Sequence, residues 1–291
     1  MKNYITTLRP WQWLKNLLIF IPYLLGNSKI DNVFFDVIAI FFLFSLFVSG
    51  TYIFNDIKDI NLDIEHPVKK NRPIASGKIS KENSRIFALV ILTISLISSF
   101  VLNNFIVFYF LLYGITTFLY SRYFKYIYIF DTISISIMFL IRVLIGGVIG
   151  NISVTLYLSS FIFFVSCMLS LAKKISIINS KKITSANTFH NLLLKQNTKF
   201  SFRNIYVIFS VLSFSSLILW LMNILSSDIS TRQMFFLVIT NILFLAFAKS
   251  VYTFSFQGLL EDFSRELYRN KYLFMLSLSI IISFSIGYYF P

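Results

Sequence analysis

The chain has 291 residues, of which 57% are hydrophobic and only 13% charged, with 35 Phe and a net charge of +14. So few charges do not cover the surface of a soluble domain of this size, and so much apolar character excludes a disordered chain. The apolar residues come in long unbroken runs and not in ten-residue alternating segments, which disfavours an outer-membrane barrel and favours an all-α, polytopic membrane protein, read as one domain over 1–291.

A membrane span needs about 20 mostly apolar residues. Nine are predicted, at roughly 11–27, 33–56, 84–101, 104–121, 127–149, 154–174, 204–225, 232–253 and 272–290. The first is the weakest: it is short, carries Lys15 and Asn16 and contains Pro22. No small-residue cleavage site follows it, so it reads as a span and not as a cleaved leader. Asn103-Asn104 is a tight turn between the third and fourth spans, and Gly150-Asn151 joins the fifth to the sixth. The single Cys167 lies in an apolar run and forms no intramolecular disulfide.

The basic residues orient the map. With the N-terminus in the cytoplasm, 22 of the 26 Lys and Arg fall in inside segments. Only Lys29 and Arg232 lie outside, and Arg142 and Lys249 lie within spans. This is the positive-inside pattern, so the expectation is an inner-membrane protein with its N-terminus in and its C-terminus out. The positive charge is thereby assigned to membrane topology and not to nucleic acid. The two longest inside loops, about 57–83 and 175–203, are the expected seats of function.

The first of these loops opens on Asn55-Asp56-Ile-Lys-Asp59-Ile-Asn-Leu-Asp63. Spacings of three and four put Asp56, Asp59 and Asp63 on one helical face, with Asn55 beside it. Three like charges on one face call for a cation. Hard oxygen ligands suit Mg²⁺, which is held by one or two carboxylates plus substrate phosphates. The plainer reading is a solvated helix end with Lys58 as local partner. The next stretch, His66-Pro67-Val68-Lys69-Lys70-Asn71-Arg72-Pro73-Ile-Ala-Ser76-Gly77, brings Lys69, Lys70 and Arg72, two point charges and one guanidinium fork suited to phosphate. Two prolines stiffen this loop, and Gly77 is expected to let the backbone approach closely. Together the two stretches describe a Mg²⁺–polyphosphate site.

These motifs resemble the first signature of the UbiA membrane-embedded transferases. The opening Leu8-Arg-Pro-Trp-Gln-Trp-Leu-Lys-Asn16, with Tyr120-Ser-Arg-Tyr-Phe-Lys125, Asp131 and Ile141-Arg142-x-x-x-Gly146-Gly147, is similar to the branch of decaprenyl-phosphate phosphoribosyltransferases. The resemblance implies a nine-helix bundle with a cytoplasm-facing cavity and makes a homo-oligomer, such as a trimer, plausible. It implies transfer of the 5-phosphoribosyl group from phosphoribosyl pyrophosphate (PRPP) to a polyprenyl phosphate, releasing pyrophosphate, for envelope polymers. In that reading Asp56, Asp59 and Asp63 hold Mg²⁺, Asn55 contacts ligand or sugar, and Lys69, Lys70 and Arg72 neutralise phosphate. The residues expected at the substrates are Lys15, Tyr120, Lys125, Arg142, Lys173 and Lys174. The acceptor phosphate is already anionic, so no catalytic His is needed, and neither His66 nor His190 is given that role.

Many UbiA prenyltransferases carry a second aspartate motif after the sixth span. Here that stretch reads Ala172-Lys-Lys-Ile-Ser-Ile-Ile-Asn179, without a carboxylate, and Glu261 and Asp262 are the replacement candidates. Two alternatives compete: an aromatic prenyltransferase with a prenyl diphosphate donor, and a transporter. A transporter would place charges at mid-membrane in broken helices, whereas these acids cluster at one span end.

Overall fold

The structure, a computed structural model, describes residues 2–26, 31–65, 68–179, 199–224, 230–260, 266–267 and 269–289. Its helices are α1 (Lys2–Leu8), α2 (Phe20–Gly26), α3 (Asn32–Lys58), α4 (Ile60–Glu65), α5 (Lys81–Leu102), α6 (Asn104–Arg122), α7 (Tyr128–Ile149), α8 (Leu156–Asn179), α9 (Lys199–Ile224), α10 (Thr231–Phe256) and α11 (Lys271–Tyr289). A 3-10 helix covers Pro10–Ile19, and short 3-10 turns cover Lys69–Asn71 and Phe124–Tyr126. No strand occurs among the described residues. Eight helices there, α3 and α5 to α11, are long and apolar enough to cross a membrane.

Local chemistry sets the helix ends. Asp31 caps α3 by accepting from the Phe34 N–H at 3.2 Å, and Ser80 caps α5 by accepting from Asn83 at 3.2 Å. Asn103 alone separates α5 from α6, and its side chain accepts from Phe105, so the Asn-Asn turn is a one-residue corner. Ser230 and Gln233 form a reciprocal capping box on α10.

The chain divides into two compact units, Met1–Val154 and Thr155–Pro291. In the first, α3 packs against α5, α6, α7 and the 3-10 helix. Phe44, Phe110 and Tyr113 meet edge to face with ring centroids 5.0 to 5.1 Å apart, and Ile19, Ile141 and Ile145 complete that core. In the second, α8 packs on α9 and α10, and α10 on α11. There Trp220 stacks between Phe161 and Phe284. Large apolar side chains such as Phe35, Val101 and Phe105 stand exposed, as a lipid-facing surface requires.

The segment predicted as the first span is a composite, not one α-helix. Pro10 starts the 3-10 helix, which ends where α2 begins, at Phe20. Ten consecutive 3-10 residues are unusual, since such runs seldom exceed 3–4. Their consequence is length: at about 2.0 Å per residue, against 1.5 Å in an α-helix, the segment advances further per residue. Arg9, before it, reaches Asp56 near the C-terminal end of α3, and the Tyr23 hydroxyl donates to Asp31 at the N-terminal end at 2.9 Å. A short stretch of chain therefore runs the length of a helix about 37 Å long between those two aspartates.

Gly146 makes this possible. A Cβ there would lie 1.9 Å from the Ile19 carbonyl oxygen, so α7 meets the 3-10 helix backbone to backbone. Gly146→Ala forces the two apart and is expected to cost about 3 kcal/mol, read as a lowered thermal unfolding midpoint of the detergent-solubilised protein.

Gly77 has a different role from the expected close approach. A Cβ there would meet nothing within 4 Å, but its φ is +72°, a left-handed value that favours glycine.

Candidate active site

The C-terminal turn of α3 brings Asp56 into the protein. The helix gives way to a one-residue turn at Asp59 and resumes as α4, which carries Asp63. The backbone ladder nearly survives the break, because Asp59 donates to the Asn55 carbonyl at 2.9 Å and Asp63 to the Asp59 carbonyl at 2.8 Å. Asp56 and Asp63 are both buried. Buried carboxylates need compensating charge, and the following loop supplies it.

That loop is anchored by Ile74, which is buried with Ile53 of α3 and Ala88 and Ile91 of α5. Ser76 donates to the Arg72 carbonyl at 2.8 Å, and Ile79 to that of Pro73 at 3.2 Å, so the turn is held on both sides of the buried residue. This places one guanidinium nitrogen of Arg72 2.9 Å from Asp56 Oδ1 and 2.6 Å from Asp63 Oδ2. Lys69 Nζ stands 3.9 Å from the other oxygen of Asp63. Burial, with the Arg72 charge beside it, holds the Lys69 ammonium below the usual lysine value, against the opposing pull of Asp63. Asp59 instead meets Lys125, from the turn between α6 and α7, at 3.3 Å. Lys58 donates to the Ser121 carbonyl at 2.7 Å, a second tie between α3 and the end of α6.

Arg9 completes the cluster, donating to Asp56 Oδ1 while lying over the Tyr52 ring at 5.3 Å. Sequence reasoning did not place it at the site. It stands in the opening motif, 47 residues from its partner, and no local spacing could show the pairing. Its backbone is left-handed, with φ 53° and ψ 59°, immediately before Pro10. A neighbouring hydrogen-bond set fixes that turn. The Leu8 carbonyl accepts from Ser49 Oγ at 2.7 Å and from Trp13 Nε1 at 3.3 Å, and Trp13 Nε1 also reaches Ser49 Oγ at 3.1 Å.

Arg142 is buried in α7 among protein groups. Its Nε donates to Asn16 Oδ1 at 2.8 Å, one terminal nitrogen to the Met138 carbonyl, and the other to the Tyr113 hydroxyl at 3.2 Å. Asn16 in turn donates to Ser45 at 2.9 Å. The rings of Phe44, Tyr113 and Phe139 lie 5.0 to 5.7 Å from the guanidinium carbon. The partners of this in-span charge are neutral: an asparagine, a tyrosine and three ring faces, which bind α7 to the 3-10 helix and α6. Tyr52 hydrogen-bonds Tyr113, linking this network to the residue beneath Arg9.

Tyr120 hydrogen-bonds the buried Asp131, pairing the end of α6 with the start of α7. Lys125, on the turn between the two helices, pairs with Asp59. Asn55 is half-buried beside the cluster, Lys70 is exposed and takes no part in these ion pairs, and Lys15 is half-buried on the 3-10 helix. Lys173 is exposed and Lys174 buried on α8, in the second unit. His66, His190, Glu261 and Asp262 lie outside the described residues.

The three aspartates do not converge as one ligand set. Among the described residues no group of three His, Cys, Asp or Glu side chains is placed to hold a metal ion. The turn at Asp59 sends that carboxylate to Lys125, leaving Asp56 and Asp63 as a pair around Arg72. This pair still suits a divalent ion: two hard oxygen donors face one positive charge, and the guanidinium stands where such a cation would sit.

The comparisons agree with this architecture. The family model of the UbiA prenyltransferase family matches residues 17–265. The chain belongs to that family. It is a multi-pass membrane protein. It is 29% identical over 191 residues to a decaprenyl-phosphate phosphoribosyltransferase of Mycolicibacterium smegmatis, covering 64% of this chain and 60% of that one. It is 35% identical over 179 residues to protein y4nM of Sinorhizobium fredii, covering 60% of this chain and 34% of that one. The chain thus spans less than two thirds of the length of these relatives. Among solved structures, a digeranylgeranylglyceryl phosphate synthase matches with TM-score 0.70 at 18% identity, covering 99% of each chain. A UbiA homologue from Archaeoglobus fulgidus bound to GPP and Mg²⁺ matches with TM-score 0.66 at 16% identity, covering 98% of each. These likenesses carry the fold.

Proposed function

We propose that this UbiA protein transfers the 5-phosphoribosyl group from PRPP to a polyprenyl phosphate, releasing pyrophosphate, in the service of envelope polymer synthesis. The observation that carries the reading is the composition of the cluster: Arg9, Lys69, Arg72 and Lys125 meet Asp56, Asp59 and Asp63. Four cations on three carboxylates leave a positive excess before any metal binds, which favours a donor with more negative charge than a plain diphosphate. The stretch 172–179 offers no carboxylate for a second metal cluster. The similarity to a named decaprenyl-phosphate phosphoribosyltransferase supports the same donor and acceptor.

The reaction breaks the bond between the ribose anomeric carbon and the pyrophosphate oxygen and forms one to an oxygen of the lipid phosphate. Negative charge grows on the leaving group and positive charge on the ring. Asp56 and Asp63 would hold Mg²⁺, with Asp59 nearby, and that ion supplies Lewis-acid stabilisation of the pyrophosphate. With those carboxylates engaged on the ion, Arg72 and Lys69 would offer their N–H donors to phosphate oxygens. Lys125, held by Asp59, keeps the α6–α7 turn at the site. The lipid phosphate attacks as an anion, so no side chain must take a proton.

The site faces the cytoplasm in this reading, with the N-terminus inside and the C-terminus outside an inner membrane. Membranes containing the protein, given labelled PRPP and Mg²⁺, are expected to carry label into the lipid fraction, and labelled prenyl diphosphate is not. Label entering lipid from the prenyl donor alone overturns the assignment in favour of aromatic prenyl transfer.

A further inference from the structure

We infer that Arg9 is a binding residue for a phosphate monoester, held in reserve on Asp56 until the metal takes that carboxylate. The inference deepens the phosphoribosyl-transfer reading and rests on it for the identity of the two ligands tested.

Arg9 approaches Asp56 separately from the other cations. Arg72 and Lys69 belong to the loop after α4 and serve Asp63 as well. Arg9 comes from the opening segment, touches only Asp56 of the three aspartates, and lies over Tyr52, one turn further into α3. Arg9 and Arg72 thus reach the same Asp56 oxygen from two different segments of the chain, Arg9 with the Tyr52 ring against it. Pyrophosphate held by Arg72 and Lys69 would leave Arg9 for another phosphate group.

The backbone is built to hold the guanidinium there. A non-glycine residue at φ 53° is uncommon, and a following proline biases its predecessor toward extended conformations. Such a conformation persists where surroundings enforce it and clusters at functional sites. Here Ser49 and Trp13 fix the carbonyl just before Arg9, and Gln12 donates to the Arg9 carbonyl at 2.8 Å. A cation needed only to neutralise Asp56 would not require this, since Arg72 already reaches the same oxygen.

The exchange is simple in charge. With Asp56 engaged on a divalent ion, Arg9 would lose that acceptor, and its planar fork would match phosphate in bidentate fashion. Two phosphate monoesters take part in the proposed reaction, the 5-phosphate of the donor and the phosphate of the lipid acceptor. Both present the same chemistry to Arg9.

The test compares wild type, Arg9→Lys and Arg9→Gln as purified full-length protein with Mg²⁺. Affinities for PRPP and for decaprenyl phosphate are measured separately, beside label transfer from PRPP by the wild type. Arg9→Lys keeps a cation on Asp56, so it carries the test should Arg9→Gln fail to fold. The expected result is a loss of affinity of about tenfold or more in Arg9→Gln, and a smaller loss in Arg9→Lys. Loss confined to PRPP places Arg9 at the donor 5-phosphate, and loss confined to decaprenyl phosphate places it at the acceptor. Unchanged affinity for both ligands overturns the inference while leaving the transfer reading intact. An arginine-dependent affinity without label transfer supports the inference and overturns the transfer reading. A wild type that binds neither ligand overturns both.

Discussion

Asp56→Asn and Asp63→Asn each lower the initial rate of lipid labelling by at least about 100-fold, the scale seen when one preorganised electrostatic group is taken from a transition state. Asp59→Asn costs far less. The asymmetry is a product of the structure, because spacing alone makes the three aspartates equivalent. Asp56 and Asp63 are buried around a shared positive charge, whereas Asp59 is partly exposed and paired with Lys125. Asparagine is isosteric with aspartate and still accepts a hydrogen bond from Arg72, so the loop keeps an anchor while the site loses a charge. The three variants, assayed at one Mg²⁺ concentration with labelled PRPP, decide the matter. Equal losses at all three positions return the site to a joint three-carboxylate set. Retained substrate flux across sealed vesicles in Asp56→Asn points to a transporter.

Arg142→Leu destabilises the protein by about 3 kcal/mol and leaves the KM for PRPP unchanged. The wild-type guanidinium donates to Asn16, Met138 and Tyr113, and hydrogen bonds from a charged group contribute about 1.5–3 kcal/mol each. Leucine strands Asn16 Oδ1 inside the bundle, although Tyr113 keeps its hydrogen bond with Tyr52. The unfolding midpoint in detergent falls, while enzyme that remains folded binds donor as before. A raised KM with an unchanged midpoint returns Arg142 to the residues expected at the substrates.

Much of the bundle is legible in the residue order. A long apolar helix needs only a run of apolar residues, and α3 and α5 to α11 begin and end close to the predicted spans, since Asp31, Ser80, Asn103 and Ser230 are cap residues by side-chain chemistry. The aspartate motif and the Arg72 loop were also readable, because both lie within one short stretch. The first crossing is where the reading fell short. Pro10 and Pro22 announce a break, but periodicity does not reveal a ten-residue 3-10 helix, nor that it packs on Gly146 more than a hundred residues away. Arg9 at Asp56 and Arg142 at Asn16 escape for the same reason: each pairing exists only once that crossing lies against α3 and α7. Asp59 escapes because helical spacing assumes an unbroken helix, and the helix turns at that residue.

The overwound opening segment acts as a ruler. Rewinding its ten residues into an ordinary α-helix would draw its ends together by about 5 Å, more than the span of a hydrogen bond. With Tyr23 moored to Asp31, all of that retraction would fall on Arg9 and pull the guanidinium off its carboxylate. The reach of one arginine is thus stored in the pitch of a helix.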